Sequence, residues 1–179
     1  SKMLADAAAT DGVEVKARGD VKAALGSAAK TLEGAYELQF LAHSAMEPLN
    51  ATVLVKSDSA EVWAPTQFQT LVPPTVAAAT GLKPEQINIH TTYLGGGFGR
   101  KIEMDFIAQA AVIAKAMPGV PVKTIWSREN DMMNDSYRPV SLQTVKVALD
   151  SNGMPSAYKY QIASPSISSG STSGFVLAL

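Results

Sequence analysis

The chain has 179 residues, of which 46% are hydrophobic and 17% charged, and its formal net charge is -1. This length can bury one hydrophobic core or two small ones, and a charge near zero gives no attraction toward nucleic acid or an anionic membrane. The absence of cysteine excludes disulfides, thiolate metal sites and iron–sulfur ligation by this chain. No stretch of 18 uninterrupted apolar residues occurs, so no membrane-spanning helix is predicted.

Helices and strands alternate along the sequence. In chain order the predicted elements are a helix over 20–30, a strand over 31–40, a hairpin over 51–64, a helix over 73–80, a strand over 87–93, a helix over 103–117, a strand over 120–126 and a hairpin over 140–163. This order predicts an α+β fold, with mixed sheets and packed helices.

The segment 91–101 joins a predicted strand to a predicted helix through four glycines, Gly95, Gly96, Gly97 and Gly99. Glycine lets main-chain N–H groups approach a ligand closely, and the start of a helix favours an anion. The spacing does not fit a dinucleotide fingerprint or a P-loop, because Arg100 stands where either pattern requires glycine. A ligand cradle and a tight turn required only for packing are both compatible with this loop.

Four other short elements accompany the glycine-rich segment in a fixed order. They are His43 to Thr52, Trp63 to Gln67, Trp126 to Asp131, and Asp135 to Pro139. Together these elements resemble the molybdenum-cofactor-binding large subunit of the xanthine dehydrogenase family. The Met-Glu-Pro-x-Asn-Ala-Thr element and the Gly-Arg-Lys ending of the glycine segment resemble the branch of isoquinoline 1-oxidoreductases and related aldehyde dehydrogenases. The resemblance extends from Gly19 to about Ser164.

The resemblance implies specific site residues. Gln67 corresponds to a glutamine that approaches the oxo group of the molybdenum centre, and Phe98 to an aromatic residue beside the metal; both are expected to be catalytic residues. The residues expected to bind the cofactor are Gly95, Gly96, Gly97, Phe98, Gly99 and Arg100. No metal-ligating side chain is expected, because the family holds molybdenum through the pterin. The family's catalytic base is a glutamate expected beyond Leu179.

The resemblance also implies the parent activity and its partners. We expect a molybdenum hydroxylase that oxidises N-heteroaromatics or aldehydes with water-derived oxygen and that carries a molybdopterin, in its cytosine dinucleotide form. Its 2Fe-2S clusters are expected on an iron–sulfur small subunit, and the chain itself is expected to be an inactive fragment that joins the remainder of the large subunit. The expected divisions are the end of a preceding helix and strand element over 1–40, part of the molybdopterin-binding domain over 41–165, and a linker-like tail over 166–179. Compartment is not predicted.

Several residues allow more than one interpretation. Arg100 and Lys101 could lie on a surface turn or contact a phosphate. Glu47 lies in an apolar stretch, where a structural hydrogen bond is favoured over chemistry. His43 and His90 are 47 positions apart, which does not indicate a histidine metal site. For the whole chain, the alternative to an enzyme fragment is a non-catalytic binding or assembly module on the same scaffold.

Overall fold

The computed structural model describes residues 2–167, so positions 168–179 of the predicted tail lie outside the described residues. The described residues form two compact units, and each is considered by itself. The first unit contains residues 2–41 and 138–167, and the second contains residues 42–137. Each unit combines helices with a sheet, which confirms the predicted α+β class.

Residues 2–167 form five α-helices and seven β-strands. In chain order they are α1 (Lys2–Ala8), α2 (Val21–Gly26), β1 (Lys30–Leu38), β2 (Asn50–Val55), β3 (Ala60–Ala64), α3 (Val72–Thr80), β4 (Ile87–Thr91), α4 (Asp105–Lys115), β5 (Val122–Ile125), α5 (Arg128–Met133), β6 (Ser141–Leu149) and β7 (Pro155–Ala163). A 3-10 turn over Arg100–Ile102 precedes α4.

The first unit is an antiparallel sheet of three strands in the order β1-β6-β7, accompanied by α1 and α2. Asp20 caps α2 as predicted, because its Oδ1 accepts a hydrogen bond of 2.9 Å from the backbone N–H of Ala23. The predicted extension of this helix to Lys30 is wrong. Lys30 is the first residue of β1 and pairs with Leu149, so pairing between distant strands overrides the local helical pattern.

The second unit contains a sheet of four strands in the order β4-β3-β2-β5. The predicted hairpin is confirmed, since β2 and β3 pair antiparallel, and β5 joins β2 antiparallel on its other side. β3 and β4 are parallel and are connected through α3, which ends at Gly81 with a φ of +87°. The carboxyl ends of β3 and β4 therefore lie side by side.

The core of the second unit lies between its sheet and helices α3 and α4. Residues on β2 and β3 alternate between buried and half-buried, as expected for a sheet with one covered face. Helix α4 covers that face with a fully buried side that includes Phe106, Ile107 and Ala110. Burying a side chain the size of Phe106 or Ile107 contributes roughly 1.5–3 kcal/mol. This packing fixes the start of α4, and with it the segment that leads into the helix.

Candidate functional site

The glycine loop, which we define as residues Gly95 to Lys101, lies in the second unit between β4 and α4. Thr66 and Gln67 follow the neighbouring strand β3 after one intervening residue, Pro65. Because β3 and β4 are parallel neighbours, the segments that leave their carboxyl ends meet at the same edge of the sheet. The hydroxyl of Thr66 donates to the Lys101 carbonyl at 3.1 Å, and the backbone N–H of Gln67 donates to the same carbonyl at 3.0 Å.

The backbone of the glycine loop has an unusual conformation. Gly96 and Gly99 have φ values of +93° and +106°, and Phe98 has a φ of +54°, which is uncommon for a bulky residue and is associated with functional sites. The backbone N–H groups of Gly96, Gly97 and Phe98 donate to no acceptor within residues 2–167. Consecutive backbone donors without a partner can bind an anion or another strong acceptor.

The side chain of Gln67 lies directly against the glycine loop. Its Oε1 accepts a hydrogen bond of 3.0 Å from the backbone N–H of Gly99. A Cβ placed on Gly97 would stand 2.3 Å from the same oxygen, so the approach of Gln67 requires glycine at this position. The structure therefore brings the two predicted elements together and gives Gly97 a steric role.

Phe98 extends from the loop into solvent. Its side chain is 70% exposed, although phenylalanine is ordinarily among the most buried residues. A Cβ on Gly96 would lie 3.2 Å from Cε2 of Phe98, so the ring passes close over the backbone of Gly96. An exposed ring held beside three free amide donors is available to contact a flat ligand.

Glu47 joins both ends of the glycine loop. Its Oε2 accepts hydrogen bonds from the backbone N–H of Gly95 at 2.8 Å and from Nζ of Lys101 at 2.6 Å, and its Oε1 accepts one from Asn50 at 3.1 Å. Lys101 is fully buried. Burial by itself would raise the pKa of Glu47. The hydrogen bonds from Lys101 and Gly95 outweigh burial and hold this pKa below its ordinary value.

Arg100 is buried at the end of the loop with 2% of its surface exposed. Its guanidinium donates to both carboxylate oxygens of Asp105, at 3.0 and 2.6 Å, and lies over the ring of Trp126. Nε lies 3.1 Å from Oδ1 of Asp135, where the alignment is too poor for a hydrogen bond but the charges still attract. Burial lowers the pKa of Arg100, but the hydrogen bonds and charge of Asp105, with Asp135 and Asp131, raise it overall.

Asp135 extends the buried charge network toward the His43 element. Its carboxylate accepts from the backbone N–H of His43 at 2.5 Å and contacts His43 Nδ1 at 3.0 Å. Arg128 pairs with Asp131 at 2.5 Å and also donates to the carbonyl of Ala45. The elements that carry the sequence resemblance are thus linked to one another by direct contacts around the glycine loop.

The structure places the predicted site residues in two groups. Gln67 and the loop glycines come together with the exposed Phe98, whereas the guanidinium of Arg100 is directed inward at carboxylates. A direct contact between Arg100 and a cofactor stays a prediction. The pairing of Lys101 with Glu47 was not predicted, although a lone carboxylate in an apolar stretch did indicate that Glu47 needs a partner.

Within residues 2–167, no group of three or more His, Asp or Glu side chains is arranged to hold a metal ion. The same residues contain no helix with the length and hydropathy needed to cross a membrane.

Comparison with known proteins gives a family match and several relatives. The family model described as molybdopterin cofactor-binding domain matches residues 6–177. The chain is 36% identical over 143 residues to a membrane-bound aldehyde dehydrogenase [pyrroloquinoline-quinone] of Gluconacetobacter polyoxogenes, covering 80% of this chain and 18% of that protein. It is 37% identical over 105 residues to isoquinoline 1-oxidoreductase subunit beta of Brevundimonas diminuta, covering 58% of this chain and 13% of that protein.

Solved structures share the fold. The aldehyde oxidoreductase from Desulfovibrio gigas matches with a TM-score of 0.62 and 24% identity, over 80% of this chain and 16% of that chain. Quinoline 2-oxidoreductase from Pseudomonas putida 86 matches with a TM-score of 0.64 and 21% identity, over 82% of this chain and 19% of that chain. The chain thus spans less than a fifth of the length of these relatives.

Proposed function

The chain belongs to the molybdopterin cofactor-binding domain family, and from that premise we propose that it forms part of the cofactor cradle of a molybdenum hydroxylase. Its relatives by name are oxidoreductases acting on aldehydes and N-heteroaromatics. The proposed substrate is accordingly an aldehyde or an N-heteroaromatic compound. The proposed cofactor is a molybdopterin in its cytosine dinucleotide form.

One observation carries the proposal. The glycine loop presents three consecutive backbone N–H groups, on Gly96, Gly97 and Phe98, that donate to no described acceptor. Gln67 packs so closely on this loop that a Cβ on Gly97 would displace its side-chain amide. A loop required only for packing does not need consecutive unpaired donors, so the residues present fit an electron-rich cofactor.

Each residue of the cradle has a distinct proposed role. The free amides of the glycine loop bind acceptor atoms of the cofactor, and the ring of Phe98 covers one side of the substrate space. The side-chain amide of Gln67 is neutral, so it donates to developing negative charge without forming an ion pair. The cofactor, when bound, supplies the redox chemistry that none of these side chains has.

Exposed apolar surface on the first unit supports the idea that more protein packs here. Strand register places six residues on one side of its sheet, and we define them as the apolar sheet face: Leu32, Tyr36, Leu38, Tyr158, Tyr160 and Ile162. Each is between 46% and 70% exposed. An apolar face of this kind marks an interaction surface. We propose that the remainder of a large subunit covers it, and that an iron–sulfur small subunit carries 2Fe-2S clusters.

Metal analysis of the parent protein tests the proposal directly. The parent is expected to contain molybdenum and pterin, and the isolated 179-residue chain is expected to show no turnover of aldehydes with a dye acceptor. A folded parent that contains only a quinone cofactor, or no redox cofactor at all, would instead favour the quinone chemistry named for one relative or a non-catalytic module.

A substitution tests the role of Gln67 within the same site. Gln67→Ala in the parent should lower turnover by about 30- to 1000-fold, corresponding to roughly 2–4 kcal/mol of barrier, with molybdenum content changed much less. Gln69→Ala is the matched control, because Gln69 is an exposed glutamine two positions away. Among residues 2–167 its side chain bonds only the Thr66 carbonyl, at 3.4 Å. Equal turnover in the two variants would remove Gln67 from the site.

A further inference from the structure

We infer that Glu47 is a positioning residue that ties the two ends of the glycine loop together, and that loading of the cofactor depends on this tie. The inference rests on the proposed function of the loop. It concerns the carboxylate of Glu47, which points at the loop backbone and at Lys101 rather than into the space beside Phe98.

The geometry of the tie is specific. One oxygen of Glu47 receives the N–H of Gly95, the first residue of the loop, and Nζ of Lys101, the last. The backbone N–H of Glu47 also donates to the carbonyl of Gly95 at 3.1 Å, so Gly95 is held by both of its peptide groups. The two ends of the loop therefore share one anchor atom, and the free amides lie between them.

Steric fit at the same contact supports the tie. A Cβ on Gly95 would stand 2.4 Å from Cβ of Glu47, a separation that real Cβ atoms do not reach. Glycine at position 95 thus lets the loop approach close enough for the hydrogen bond. The requirement for Gly95 comes from Glu47, whereas the requirement for Gly97 comes from Gln67.

Only a carboxylate can satisfy all the donors at this position. The partners of Glu47 are the amide of Gly95, the ammonium of Lys101 and the amide group of Asn50, and each of them donates. Glutamine has the same shape but offers one acceptor oxygen and one NH₂ donor, so it must oppose a donor with a donor. It also leaves the fully buried cation of Lys101 without a counter-charge.

Hydrogen–deuterium exchange of the parent protein tests the tie. In Glu47→Gln, peptides that cover the glycine loop should exchange about tenfold faster or more than in the wild type, the ratio expected when a hydrogen bond to a charged group is lost. Molybdenum per mole of folded protein should also fall. The matched control is Glu61→Gln, since half-buried Glu61 likewise accepts from an asparagine amide, that of Asn88, and contacts His90. The control should keep wild-type exchange and loading.

A double variant separates positioning from simple charge balance. Glu47→Gln combined with Lys101→Met removes the unpaired buried cation, so the melting temperature should recover in part. If Glu47 ties the loop, fast exchange and low molybdenum persist in the double variant. Recovery of both to wild-type values would show that Glu47 only neutralises Lys101 and would overturn the inference.

The outcome for Glu47 is separate from the outcome for the proposed function. A wild-type parent without molybdenum defeats the proposed function, and cofactor loading then cannot depend on the tie. A wild-type parent with molybdenum, together with a Glu47→Gln variant of unchanged exchange and loading, defeats the tie alone.

Discussion

The glycine loop and the turn between β6 and β7 both contain glycines with positive φ, but different hydrogen bonds hold the two segments in place. In the β6–β7 turn, Asp150 accepts from the backbone N–H groups of Asn152 and Met154, and a Cβ on Gly153 would meet nothing within 4 Å. The glycine loop is instead held by side chains 32 to 54 positions away in the sequence. A local turn only connects strands, whereas a loop supported from outside can hold its own donors free for a ligand.

The largest expected difference concerns the two aspartates that support these regions. Asp135→Ala should lower the free energy of unfolding by about 3 kcal/mol, because the backbone N–H of His43 loses its acceptor. The buried guanidinium of Arg100 also loses one nearby charge, although it keeps its two hydrogen bonds to Asp105. Asp150→Ala should cost about 1 kcal/mol, since its partners can bond to water. Urea unfolding of both variants measures the difference, and equal costs would contradict the contrast.

Replacing a glycine of each region by alanine should give a smaller difference in the free energy of unfolding. Gly95→Ala should lower stability by about 2–3 kcal/mol, because the new methyl group enters filled space beside Glu47. Gly153→Ala has open space and a φ of +80°, so only backbone strain of about 1 kcal/mol is expected. Gly26→Ala has neither obstacle and should change stability by less than about 0.5 kcal/mol. Denaturant midpoints that rank these three variants in another order would refute the steric account.

A substitution at Phe98 should stabilise the fold, unlike the substitutions above. Phe98→Gly should raise the free energy of unfolding by about 1 kcal/mol, because it relieves a φ of +54° and removes a side chain that is 70% exposed. Phe40→Gly is the control: Phe40 is 63% exposed but has no positive φ, so glycine there should destabilise by about 0.5–1 kcal/mol. Melting temperatures that fall equally in both variants would show that Phe98 is not strained.

The smallest expected effect is on how protein stability depends on pH under acidic conditions. The pKa of Glu47 is depressed in the folded state, so its contribution is complete above its ordinary pKa of 4.5 and is lost as pH falls through the folded value. Stability of the wild type should therefore decline in this acidic range more steeply than stability of Glu47→Gln. Melting temperatures measured from pH 6 downward would reveal the difference. If the melting temperatures of the wild type and of Glu47→Gln fell in parallel, the ionised carboxylate of Glu47 would not stabilise the fold.

Local sequence patterns determined a large part of the fold. The hairpins β2–β3 and β6–β7, the N-cap of α2 at Asp20 and the end of α3 at Gly81 all depend on residues close together in the chain. Capping residues, alternation and turn residues act over a few positions, so one sequence is enough to locate them. The association of Gln67 with the glycine loop came from the family resemblance and not from a local pattern. The structure shows their contact, and their role in cofactor binding stays a prediction.

Tertiary structure decided where helices end or begin and which charged side chains pair with one another. Lys30 joins a strand because Leu149 lies opposite it, and α4 begins only at Asp105 because a 3-10 turn precedes it. Glu47 meets Lys101 across 54 positions, and His43 meets Asp135 across 92. Composition and spacing do not determine such partners, because many carboxylates can reach a cation in an unfolded chain. In the folded chain, core packing selects one of them and buries at least one member of each pair.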